Sequence, residues 1–159
     1  MTSSIPQVPA PRAYTVRAAA TPGGAAVAHA GSEVIAFNAR WGEAAASVLP
    51  GPAELLASAF AACLLKNVER SSQLMPFRYE AADVVVTAHR QDTPPRFTSI
   101  TYELSVVTDE PARRVELLHA NLRRYGTVYN TLASVCDVDG SIVVVSVAPT
   151  PSSRAERAG

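Results

Sequence analysis

Residues 51–63 read Gly51-Pro52-Ala53-Glu54-Leu55-Leu56-Ala57-Ser58-Ala59-Phe60-Ala61-Ala62-Cys63. Proline suits a first helical position, where its missing N–H would have no partner anyway. Leu55, Leu56, Ala59, Phe60, Cys63, Leu64 and Val68 then recur at offsets near three and four, one apolar stripe of a helix. Lys66, Asn67, Glu69 and Arg70 appear only in its second half. The first half, apolar nearly all round, predicts a central helix buried on most sides.

On the N-terminal side, Ala13–Ala19, Ala25–Ala30 and Glu33–Asn38 read as short strands, the first two separated by a turn at Thr21-Pro22-Gly23-Gly24. Residues 41–51 read as a loop. On the C-terminal side, Ile100, Tyr102, Leu104 and Val106 alternate with polar residues, predicting a strand over Phe97–Thr108. Tyr79–Arg90 is its hairpin partner, with the connection at residues 91–96, where Pro94 and Pro95 cannot donate to a ladder. Glu110–Tyr125 is a second helix, with Asp109 as its cap and Gly126 as its stop. Val128–Ser134 adds a short helical turn, and Ile142–Val147 is a last strand after a break at Asp139-Gly140. The order is that of an α+β fold, with helices packed on largely antiparallel sheets. We expect a flexible arm over residues 1–13, a single domain over 14–147 and a flexible tail over 148–159.

With 159 residues, 48% of them hydrophobic, the chain can bury a core without disulfides or a structural metal. Fourteen basic residues balance fourteen acidic ones, so no nucleic-acid partner is expected. No apolar run approaches the ~20 residues that span a bilayer, and no secretory signal pattern is present. A cytoplasmic location, with no membrane partner, is the expectation. His29, His89 and His119 show no metal-ligand spacing, so neither a metal nor any other cofactor is expected. Ser58 and Ser134 lack the setting of a hydrolase nucleophile. Cys63 and Cys136 remain as candidates for chemistry, each otherwise a small packed hydrophobe.

The 51–63 stretch resembles the signature of the OsmC and organic hydroperoxide resistance (Ohr) family, a Pro-Glu-x-Leu-Leu-like start leading through small residues to a cysteine. Pro94-Pro95-Arg96-Phe97 and Asn130-Thr131-Leu132 extend the resemblance over residues 14–147. It implies the OsmC-like fold and an intertwined homodimer with two sites at the subunit interface. It implies a thiolate on the central helix that attacks a hydroperoxide, a second cysteine that resolves the sulfenic acid, and an arginine and a glutamate that assist. By position Cys63 is the peroxidatic thiol.

The other roles depart from the family pattern. Gly126 stands where the alignment places the resolving cysteine, and Cys136 lies ten residues later. Ala53 holds the glutamate's place, with Glu54 one residue late. No arginine occupies the first hairpin turn, so Arg17, on the preceding strand, and Arg40, after the third, are the candidates. Two functions follow from the resemblance and its gaps. One is a thiol-dependent hydroperoxide reductase in oxidative stress defence, using Cys63, small organic hydroperoxides and an external thiol reductant. The other is a noncatalytic homodimer that holds a small hydrophobic ligand at the subunit interface.

Overall fold

The computed structural model describes residues 12–23, 26–42 and 48–146; most of the expected arm and the whole expected tail lie outside them. The chain forms two compact units, which meet in sequence at Pro52 and Ala53.

In the first unit β1 (Arg17–Ala20), β2 (Ala26–Ala30) and β3 (Glu33–Phe37) form an antiparallel meander in the order β1-β2-β3. Gly23 (φ +68°) and Gly31 (φ +63°) supply the left-handed backbone at its two turns, a conformation glycine adopts without Cβ strain. Strand β1 is shorter than predicted and begins at Arg17, leaving Arg12–Val16 outside the strand.

The second unit holds α1 (Pro52–Leu74), β4 (Ala81–Asp92), β5 (Pro95–Val107), α2 (Ala112–Tyr125), α3 (Thr127–Ala133) and β6 (Asp137–Val145). Its sheet has the order β4-β5-β6, with β4 antiparallel to β5 and β6 parallel to it. Phe60, Leu64 and Val68 of α1 are buried with alternate β5 residues Ile100, Tyr102, Leu104 and Val106. Val115, Leu118 and Leu122 of α2 and Tyr129 and Leu132 of α3 complete this core. At 25 cal/mol per Å², each such large side chain contributes about 1.5–3 kcal/mol.

Four expectations are corrected. The first half of α1 is not covered all round: Phe60 is buried, but Ser58, Ala59 and Ala62 are exposed, because within this chain the core packs against a single helical face. The hairpin strands run further, to Asp92 and from Pro95, and the turn carries a cis Thr93-Pro94 peptide. Helix α2 starts at Ala112, with Pro111 as its N-cap and no side-chain cap. Asp109 is instead engaged by Arg78, whose Nη2 lies 3.4 Å from Asp109 Oδ2, while the Arg78 backbone N–H donates to Glu110 Oε1 at 2.9 Å. Finally, β6 begins at Asp137 and runs through Asp139-Gly140 without a break. Gly140 pairs with Tyr102, and the Tyr102 ring lies where a Cβ on Gly140 would stand. The glycine here makes room for an aromatic ring rather than a turn.

Candidate functional site

Cys63 falls on the helical line beside Phe60, Leu64 and Val68, so its side chain is half-buried rather than sealed in the core. Asn67, one turn on, donates through Nδ2 to the Cys63 carbonyl at 2.8 Å, and the same nitrogen lies 3.7 Å from Cys63 Sγ. An amide carries two N–H groups, so one can hold the backbone oxygen while the other faces the sulfur. On the other side stands the α2–α3 junction. A Cβ built on Gly126 would lie 3.4 Å from Cys63 Sγ, and also 2.8 Å from Tyr129 Cβ and 2.9 Å from the Leu122 carbonyl. The position aligned with the family's resolving cysteine is therefore next to Cys63 in space, and here it carries no side chain.

Cys136 has different neighbours. Its thiol lies 3.4 Å from the Leu132 carbonyl and lines an open groove of about 590 Å³ with Ala120, Arg123, Arg124, Tyr129 and Asp137. Burial, and then the Asp137 charge, push its pKa above the ordinary thiol value. Both cysteines are free thiols.

Glu54 is exposed in the first turn of α1. Nine residues separate it from Cys63, two and a half helical turns, so the two point from opposite faces. That spacing is already legible in the sequence. In the first unit, Arg17 is exposed on β1 opposite His29. Arg40 Nη2 donates to the Gly23 carbonyl at 3.2 Å, which puts a guanidinium at the first hairpin turn although no arginine lies there in sequence. An open cavity of about 680 Å³, lined by Gly23, Arg40 and Trp41, adjoins it.

The sequence reading missed a part-buried polar pair. The Tyr102 hydroxyl lies 2.7 Å from His119 Nε2, joining β5 to α2. Burial, and then the nearby Tyr129, push Tyr102 up to about 12. Burial, and then the Arg123 charge, lower His119, with Asp139 opposing, so a neutral imidazole accepting from the hydroxyl fits both shifts. Arg123 Nε in turn donates to Tyr129 Oη at 3.1 Å. Seventeen residues separate the pair, and no local pattern links them. Among the described residues no group of His, Cys, Asp and Glu is placed to hold a metal ion, and no helix is long and apolar enough to cross a membrane.

The site thus joins a cysteine on α1 to the aligned position 126, whose Cβ direction meets its sulfur. The family model described as OsmC-like protein matches residues 44–140. The chain belongs to the OsmC-like family. Its fold is similar to that of an OsmC-like protein from Mycoplasma pneumoniae (TM-score 0.75, 18% identity, covering 84% of this chain and 98% of that one). It is likewise similar to an organic hydroperoxide resistance protein OsmC from Legionella pneumophila (0.68, 17%, 86% and 100%). The organic hydroperoxide resistance protein OhrB of Bacillus subtilis shares it at 0.62, 15%, 83% and 98%. No curated protein sequence matches this OsmC-like chain.

Proposed function

We propose that this OsmC-like protein is a thiol-dependent reductase of small organic hydroperoxides, with Cys63 as its single redox sulfur. The observation that carries the reading is the half-buried Cys63 Sγ, flanked by the Asn67 amide at 3.7 Å and by the side-chain-free position 126. The Cys63 thiolate attacks one peroxide oxygen, the O–O bond breaks, and the departing alkoxide takes a proton to leave as the alcohol. Cys63 is left as a sulfenic acid. A thiolate, not a thiol, is the nucleophile in such a step. With glycine at position 126, the sulfenic acid is returned to the thiol by an external thiol reductant.

Of the two arginines weighed from sequence, Arg40 is the one that lies at the first hairpin turn, where the family pattern has its arginine. We assign no catalytic role to Glu54. Homodimerisation is part of the proposal. Its support is the exposed small-residue side of α1 together with Val34, Ile35 and a fully exposed Trp41, large apolar area for one chain to leave in water.

The test is to treat the protein with cumene hydroperoxide and trap sulfenic acid with dimedone, locating the adduct by mass spectrometry. An adduct on Cys63, absent in Cys63→Ser, is expected. No adduct, with a dimer by light scattering, would leave a noncatalytic binder of small hydrophobic molecules as the better reading.

A further inference from the structure

We propose that Arg70 and Arg124, stacked on Tyr125, dock the carboxylate of a small acidic thiol that serves as the external reductant of Cys63. The inference rests on the reading of Cys63 given above and adds the chemical class of its co-reactant.

Arg70 follows Cys63 by seven residues, nearly two full turns, so it lies on the same helical line as Cys63 and Asn67, about 10 Å further along the axis. Tyr125 immediately precedes Gly126, the residue whose Cβ direction meets Cys63 Sγ at 3.4 Å. The Arg70 guanidinium carbon lies 4.7 Å from the centre of the Tyr125 ring, and that of Arg124 lies 5.3 Å from it. The ring is 45% exposed, so both cations are held at the surface. Arg78, Arg90 and Arg114 each face a carboxylate, whereas among the described residues neither Arg70 nor Arg124 does.

Two like charges on one ring repel each other, and a bound anion removes that cost. A guanidinium fork matches a carboxylate in two parallel hydrogen bonds, and an aromatic backing limits its motion. Cys136 has other neighbours, so electrons come from outside, and the two arginines sit on the ring of Tyr125, the residue before Gly126, with Arg70 two turns along α1 from Cys63. In the first step the incoming thiolate bonds to Cys63 Sγ, the S–O bond breaks, and the oxygen leaves as water after taking up protons. A second thiolate then attacks the mixed disulfide, releasing the Cys63 thiolate and the oxidised reductant.

The experiment separates this step from peroxide chemistry. The Cys136→Ser protein is converted at Cys63 to the mixed disulfide with 2-thiopyridine, and thiopyridone release is timed with 3-mercaptopropionate and with 2-mercaptoethanol. The ratio of the two rates is compared among the parent, Arg70→Gln/Arg124→Gln, each single variant and Arg70→Lys/Arg124→Lys. Intrinsic thiol reactivity cancels in this comparison. We expect the ratio to fall about fivefold in the double glutamine variant, to be largely retained with lysines, and to shrink in the parent as salt rises. An unchanged ratio in folded variants overturns the inference, whatever dimedone trapping shows. A charge preference seen only for acidic over neutral hydroperoxides, in the oxidation half-reaction, overturns it too.

Discussion

Gly126→Cys puts the adjacency of positions 63 and 126 to a quantitative test. The new Cβ would lie 3.4 Å from Cys63 Sγ, close to the distance of about 3 Å between a half-cystine Cβ and the opposite sulfur. It would also crowd Tyr129 Cβ at 2.8 Å and the Leu122 carbonyl at 2.9 Å, so the α2–α3 junction must give way. Overpacking of this kind costs about 1–3 kcal/mol, and the reduced variant should be less stable than the parent by that amount. Once oxidised, the bond closes a loop of about 63 residues, for which chain entropy predicts roughly 4 kcal/mol of stabilisation. The oxidised variant should therefore exceed its own reduced form by about 4 kcal/mol and the parent by about 1–3 kcal/mol. Urea denaturation with and without dithiothreitol measures both differences, and peptide mapping locates the bond. If one equivalent of organic hydroperoxide forms the 63–126 disulfide, the glycine is the missing resolving position. If both thiols stay free, or Cys63 pairs with Cys136, the geometric reasoning fails.

Three further outcomes are expected. Cys136, held above the ordinary thiol pKa by burial and by Asp137, should alkylate at pH 8 more slowly than free cysteine, and Cys136→Ser should retain at least about 80% of any peroxidase rate. His119 titrates lower in the folded chain than in the unfolded one, so near pH 6.5 the unfolded chain binds more protons. The neutral imidazole then contributes stability that is full above the unfolded pKa and is lost as pH falls through and below it; His119→Gln should flatten the urea midpoint between pH 7 and 5. Gly140→Ala inverts a general rule. A strand glycine replaced by alanine usually gains about 0.5–1 kcal/mol, but here the methyl meets the Tyr102 ring and a loss of about 1–3 kcal/mol is expected on denaturation.

Part of this protein is legible in its sequence because periodicity is a property of the local backbone. The stripe from Leu55 to Val68 specifies α1. The alternation from Ile100 to Val106 specifies β5, and its apolar set is the buried one. Gly126 marks the end of α2 as expected. The motif ending at Cys63 indicates the family, and the nine-residue spacing from Glu54 to Cys63 separates those two side chains on any α-helix.

Tertiary structure decides what depends on groups far apart in the chain. Asp139-Gly140 looks like a turn until Tyr102, on another strand, is seen to fill the space above the glycine. Asp109 looks like a cap until Arg78, from the connection between α1 and β4, engages it. Arg40 reaches the hairpin turn across seventeen residues, and Gly126 meets Cys63 across two strands and a helix. A helix or strand follows from the spacing of near neighbours, whereas these contacts follow from the shapes and charges of side chains that only the packed core brings together.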